Sequence, residues 1–172
     1  MNGQKIGADE LQQILELAHW APTHGRTEPW HFFVYEGAAL KQFGQTHATL
    51  YWENTAEEKR NEASRDKLID AIEKASQLLI AVMKRGSNPK IPAIEEVAAS
   101  CAAIQNILLG ATALGIASFW NSGGMTHHPA LKEHLGLAAD DVVLGLIYLG
   151  YSDEAKEGKR NTAIGDKVTM MR

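Results

Sequence analysis

One cysteine in 172 residues excludes an intrachain disulfide. That cysteine, Cys101, sits in the middle of a helical stretch and reads as core, not as a nucleophile. No single sign of charge dominates. Seventeen Lys and Arg against 21 Asp and Glu give a net charge of −4, and no basic stripe argues for nucleic acid as a partner. No apolar stretch approaches the roughly 20 residues needed to cross a bilayer. Met1-Asn2-Gly3-Gln4-Lys5 has no apolar run of the signal-peptide kind, so the expectation is a cytoplasmic protein without a membrane partner. Repeats and low-complexity tracts are absent.

What is present is enough for a core: 45% of residues are hydrophobic and 22% charged. The length fits one domain, or one half of an intertwined dimer. Leu11, Ile14, Leu15 and Ala18 recur at helical spacing. Asp9 is the expected cap, with Gln12 in the capping-box position, and Pro22 stops the helix. Residues 31–36 read as a strand and 38–51 as a helix. The polar stretch 52–65 is either an exposed helix or an excursion, and a helix follows to about Lys74. The run Leu78-Leu79-Ile80-Ala81-Val82-Met83 reads as a strand buried on both faces. A loop at 86–92 precedes the longest helix, 94–114. There Val97, Cys101, Ile104, Leu108 and Ala111 form a stripe, and the other faces carry Ala98, Ala99, Ala102, Ala103 and Gly110. A helix so apolar or small all round is expected to be buried, and its small residues would suit close approach at a subunit interface. Strands at 116–120 and 142–149 flank a short helix at 130–135 that starts on Pro129. Helices and strands alternate, giving an α+β or α/β layered fold. Residues 151–172 carry little apolar periodicity and are either disordered or laid across a partner subunit.

Several kinds of chemistry are poorly supported. His127 and His128 are adjacent and lack a ligand set around them, so no metal site is expected. Ser122 lies in Asn-Ser-Gly-Gly, not in a nucleophile elbow, and no phosphate-binding G-x-x-x-x-G-K-[ST] loop occurs. Glu95 and Glu96 are expected to face solvent at a helix start, where carboxylates favour the helix dipole.

The most informative segment is Ala21-Pro22-Thr23-His24-Gly25-Arg26-Thr27-Glu28-Pro29-Trp30. Pro22 and Pro29 bracket it, Pro29 favours an extended Glu28, and Gly25 permits close backbone approach to a ligand. A rigid polar loop ending in a large aromatic suits a flat cofactor with an anionic tail. The stretch APTHGRTEPWHFFVYEG resembles the cofactor loop of the nitroreductase family, FMN-dependent oxidoreductases that use NAD(P)H. It is similar to the short branch of that family, where the loop reads A-P-x-H-x-x-x-x-P-W. GATALGIASFWNSGG and the tail GKRNTAIGDKV continue the resemblance in the same order.

The resemblance implies a single α+β domain over 1–172, with a central, mostly antiparallel sheet flanked by helices. It implies an intertwined homodimer, with residues 151–172 reaching across it and an FMN site at each interface. Thr23, His24 and Arg26 would contact the cofactor from the first loop. Trp120, Asn121, Ser122 and Gly123 would lie along the ring edge, and Lys159 and Arg160 would grip the phosphate. Residues 110–115 would lie near NAD(P)H. The reaction would pass a hydride from NAD(P)H through flavin to a nitroaromatic, quinone or similar conjugated small-molecule acceptor. No side chain is required as catalytic acid, because the flavin supplies the chemistry. Members of the family usually begin with a helix and an Arg-Arg-Ser or similar signature, which has no counterpart before Arg26. A non-catalytic flavin-binding dimer, its turnover lost with that element, is therefore the alternative.

Overall fold

The computed structural model describes residues 1–154 and 158–171. Its elements in chain order are α1 (Ala8–His19), β1 (Trp30–Glu36), α2 (Gly37–Glu53), α3 (Glu62–Glu73), β2 (Gln77–Met83), α4 (Ala93–Ala113), β3 (Ala117–Asn121), α5 (Pro129–His134) and β4 (Val142–Gly150). The four strands form one sheet in the order β1-β2-β4-β3, and every neighbouring pair is antiparallel. This is the α+β arrangement expected, with elements within a residue or two of the anticipated limits. The stretch 52–65 resolves into the end of α2, a 3-10 turn at Glu57–Lys59 and the start of α3. The tail contains a 3-10 turn at Ile164–Lys167. Residues 155–157 and 172 of the tail, expected to cross to a partner, lie outside the described residues.

Strand alternation sends successive side chains of β2 to opposite faces. Leu79, Ala81 and Met83 pack with Ile14 and Ala18 of α1 and with Ala103, Ile104 and Ile107 of α4. Leu78, Ile80 and Val82 pack with Leu40 and Phe43 of α2, Ile72 of α3 and Leu131 of α5. All seven residues of β2 are buried, as its unbroken apolar run requires. A register shift opposite Ala81 and Val82 leaves Leu144 of β4 unpaired and turns it to the face opposite Leu146, two residues on.

Three local expectations are corrected. The first helix is capped at Gly7, not Asp9: the Gly7 N–H donates to Glu10 Oε2 at 2.8 Å, two positions upstream of the anticipated box. Glu28 is not extended; its φ is 46°, and its N–H donates to Thr23 Oγ1 at 3.3 Å, which closes the loop in a left-handed turn. The buried face of α4 is also rotated from the expected stripe. It runs through Glu96, Ala99, Ser100, Ala103, Ile104, Ile107, Gly110 and Ala111, while Val97, Cys101 and Leu108 are half-buried and Ile94 and Leu109 are exposed. At 21 residues α4 is long and apolar enough to span a bilayer, contrary to the reading that no stretch approaches that length. Here it lies against the sheet through its small residues.

Candidate functional site

Among the described residues, the loop before β1 holds both non-glycine positions with positive φ. Gly25, Arg26 and Glu28 all have positive φ, at 59°, 54° and 46°. For the two non-glycine residues each such turn costs on the order of 1 kcal/mol, so surrounding contacts must hold it. Thr23 Oγ1 bonds Thr27 Oγ1 at 2.9 Å and accepts from the Glu28 N–H. A Cβ on Gly25 would come within 2.8 Å of Ile91 Cδ1, so the loop lies directly on the loop that precedes α4.

That contact sets His24 over the first turn of α4. His24 Nδ1 hydrogen-bonds the Glu95 carboxylate. With Nδ1–H donated, the free valence of the ring is Nε2. Pro22, Thr23, His24 and Glu95 rim an open cleft of about 330 Å³, floored by Ala98, Ala99 and Ala102. The alanines give this floor a flat, apolar surface that larger side chains would fill.

Next to Glu95, Glu96 is 1% exposed. Its carboxylate pairs with the Arg85 guanidinium and accepts the Gly86 N–H at 3.1 Å. Arg85 Nη2 donates to Ile91 O at 2.6 Å. The expectation of two solvent-facing glutamates therefore holds for Glu95, which is exposed, and is corrected for Glu96, which is buried. Glu95 holds the site histidine, and Glu96 anchors the loop beneath it. Neither role is visible in the local sequence, because the partners are 71 and 11 residues away.

The second predicted segment follows β3. Trp120 is half-buried against the face that carries α1 and α4, and its Nε1–H donates to Leu144 O at 3.1 Å. Asn121 Oδ1 accepts the Gly123 N–H at 2.9 Å, forming a tight turn in which Ser122, Gly123 and Gly124 are exposed. Among the described residues, the N–H groups of Ser122 and Gly124 have no acceptor. The turn is held from below: buried His47 accepts the Met125 N–H on Nε2 at 3.2 Å, and burial pushes its pKa down to about 4. His47 is a site-supporting residue that sequence reasoning missed, since a histidine within α2 gives no signal of its target.

Both segments lie at the same end of the sheet, where β1 and β4 begin and β2 and β3 end. They are on opposite edges, however. β2 and β4 stand between them, a separation of roughly 14 Å at about 4.8 Å per strand. The chain therefore brings Thr23 and His24 together with Glu95, and Trp120 together with Asn121 and Gly123, but does not join the two groups in one cleft. Arg26 is exposed on the outer side of the first loop. Lys159 and Arg160 are exposed in the tail and form no ion pair among the described residues. Gly110 packs against α1, where a Cβ would meet Leu17 Cδ1 at 2.6 Å. No cluster of metal-ligating side chains occurs among the described residues.

Residues 2–151 match the nitroreductase family. Over 142 residues the chain is 30% identical to a protein of Escherichia coli K12 named "Putative NAD(P)H nitroreductase YdjA", covering 83% of this chain and 75% of that one. A nitroreductase-like family protein from Bacillus cereus superimposes with a TM-score of 0.85 at 29% identity, over 99% of this chain and 88% of the other. A nitroreductase from Bacteroides fragilis, crystallised with bound FMN, superimposes with a TM-score of 0.66 at 25% identity, over 99% and 91% of the two chains.

Proposed function

Because this chain belongs to the nitroreductase family, we propose that it is an FMN-dependent oxidoreductase that passes electrons from NAD(P)H to nitroaromatic, quinone or similar conjugated acceptors. The observation that carries this reading is the His24–Glu95 pair on the rim of an alanine-floored cleft. A flavin needs a flat apolar surface for its ring, donors at its polar edge and cations at its phosphate. The residues fit each need. Ala98, Ala99 and Ala102 offer the surface; His24 Nε2, Thr23 and the N–H groups of Ser122 and Gly124 offer polar edge contacts. Lys159, Arg160 and Arg26 are cations without a carboxylate partner among the described residues.

FMN, when bound, supplies the hydride chemistry that no side chain of this protein has. The protein's part is positional. Glu95 orients the His24 ring, His47 fixes the turn at 121–124, and Trp120 backs that turn from the core side. No side chain is assigned as catalytic acid or nucleophile.

The separation of the two half-sites favours a homodimer. One edge of the sheet carries the His24 cleft and the other carries the Ser122 turn, so a second copy would bring the turn of one chain to the cleft of the other. The outer face of α4, with Ile94 70% and Leu109 59% exposed, offers apolar surface for that contact. We place the protein in the cytoplasm.

The visible spectrum of the purified protein, before and after adding FMN and desalting, tests the proposal. Retained bands near ~450 nm that bleach with NADH or NADPH under anaerobic conditions are expected. A protein that stays colourless after FMN addition, yet elutes as a folded dimer, would overturn the enzymatic reading.

A further inference from the structure

A cavity of about 480 Å³ opens between α5 and the start of β4, away from the His24 cleft. Its volume falls within the range of small-ligand sites. Its polar lining is Thr126, His127, His128, Lys132 and Asp141, and its apolar wall includes Pro129 and Val142.

The hydrogen-bond state of each polar group decides what the cavity can hold. Asp141, the one carboxylate in the lining, is 8% exposed. Its Oδ1 accepts the Arg85 N–H at 2.9 Å and its Oδ2 the Ala138 N–H at 2.9 Å. Each oxygen thus accepts one backbone N–H and keeps a further lone pair, and the residue ties the cavity wall together. His128 Nδ1 accepts the Ala130 N–H at 3.2 Å. In the neutral ring the proton then resides on Nε2, which is a donor. Lys132 spends one ammonium proton on Ala139 O and keeps two. His127 is exposed at the mouth and adds a further ring nitrogen. Donors therefore exceed free acceptors. Among the described residues no group of side chains here could hold a metal ion, and the Nδ1 of His128 is already occupied.

We propose that this cavity binds a small organic carboxylate. His128 Nε2–H and the Lys132 ammonium hold its charged end, and Pro129 and Val142 receive its apolar body. A charge-assisted pair of this kind recognises the anion over its neutral isostere. The assignment is independent of the flavin reading, since it needs no cofactor. The two sites are nevertheless neighbours: Thr126, also in the lining, donates to Gly123 O at 2.7 Å and so joins the cavity to the turn at 121–124.

The test uses the full chain as purified, titrated with benzoate and, separately, with its neutral analogue benzamide. Binding is read by calorimetry and by shifts of backbone amide resonances. Saturable benzoate binding that moves Thr126, His127, Lys132 and Val143 is expected, with benzamide at least about tenfold weaker. Two variants separate recognition from folding. Lys132→Met removes the ammonium. His128→Asp keeps an acceptor for the Ala130 N–H, since Asp is a favoured N-cap, while placing a negative charge at the ligand. Each should retain the wild-type melting temperature and weaken benzoate by about tenfold or more. Equal affinity for benzamide, unchanged benzoate affinity in either folded variant, shifts confined to the His24 cleft, or no saturable binding below about 10 mM would each overturn the assignment. None of these results bears on FMN retention, so failure here leaves the oxidoreductase proposal standing.

Discussion

The indole of Trp120 occupies the space that any side chain at Gly145 would need. A Cβ built on Gly145 would lie 2.5 Å from Trp120 Cδ1, closer still to Nε1, and 3.0 Å from Asn121 O. β3 and β4 approach this closely because Trp120 Nε1–H donates to Leu144 O across the strands. Gly145→Ala must therefore displace the indole or part the strands. Overpacking of this kind costs about 1–3 kcal/mol, or roughly 2–12 °C in Tm for a chain of this size. Trp120→Ala in the same background should recover part of the Gly145→Ala loss, because the clash is with the ring. Thermal melts of the two single variants and the double variant check this; strictly additive losses would show that the two residues are not coupled.

In the proposed site, Glu95 would act on flavin through His24. The pair is solvent-exposed, with side-chain exposures of 60% and 44%, so its contribution to folding is at most about 1 kcal/mol. Its contribution to the site is orientation of the ring. Glu95→Gln should leave Tm nearly unchanged and weaken FMN by about threefold to tenfold, the worth of one hydrogen bond. His24→Ala should weaken it at least as much, and the double variant no further. Fluorescence titration with FMN distinguishes these cases. Full FMN affinity in His24→Ala would remove the first loop from the site.

Lys159 and Arg160 stand in an exposed tail and make no ion pair among the described residues. If they hold the FMN phosphate, each contact is worth about 1.5–3 kcal/mol. Replacing both with Ala should then weaken FMN by at least about two decades while leaving elution as a dimer intact. Unchanged FMN affinity would place the phosphate elsewhere, and loss of the dimer alone would make the pair an assembly contact.

The sheet and its helices are legible in the sequence because their signals are local. The buried run at 78–83 reads as a strand directly, and the helices announce themselves by spacing and by proline and glycine punctuation. The features that escaped are those set by distant partners. Glu96 resembles any acidic residue near a helix start until Arg85 and Gly86 are folded against it. Glu28 takes a left-handed turn because Thr23 captures its N–H, which overrides the preference of a residue before proline. The buried stripe of α4 was misplaced because the helix is apolar or small on several faces, so periodicity alone does not choose one. Of the candidate site residues, those of the first loop and those of the turn after β3 are each brought together locally. Their separation across the sheet follows from strand order, which no local pattern encodes.

Arg85 and Glu96 form the one strongly buried ion pair among the described residues, with side-chain exposures of 21% and 1%. Removing one partner strands the other's charge in a poorly solvated place, at a cost of about 3–5 kcal/mol. Glu96→Ala should therefore be among the most destabilising single changes in α4, and it should also loosen the His24 loop, which rests on Ile91. Arg85→Met combined with Glu96→Leu should cost less than Glu96→Ala alone, because no charge remains uncompensated. Urea unfolding of the three proteins tests the ordering; a loss below about 1 kcal/mol in Glu96→Ala would mean that the pair is solvated.

His47 makes stability depend on pH in a definite direction. Its neutral ring accepts the Met125 N–H on Nε2, while Nδ1 is buried without a partner. Burial lowers its pKa from 6.5 to about 4. Between these values the unfolded chain binds the proton and the folded chain does not, so stability rises with pH across this window. The contribution is fully present above about pH 6.5, falls as the pH drops, and is exhausted below about 4. At pH 5 the protein should be about 2 kcal/mol less stable than at pH 7.5 on account of this residue. His47→Gln keeps an acceptor within reach of the Met125 N–H but cannot titrate. It should flatten that difference while lowering stability at pH 7.5 through imperfect packing against Phe43, on which the ring is stacked at 5.7 Å. Urea unfolding at the two pH values, on both proteins, provides the comparison. An equal pH dependence in His47→Gln would assign the effect to other groups, His31 first among them, since burial lowers its pKa as well.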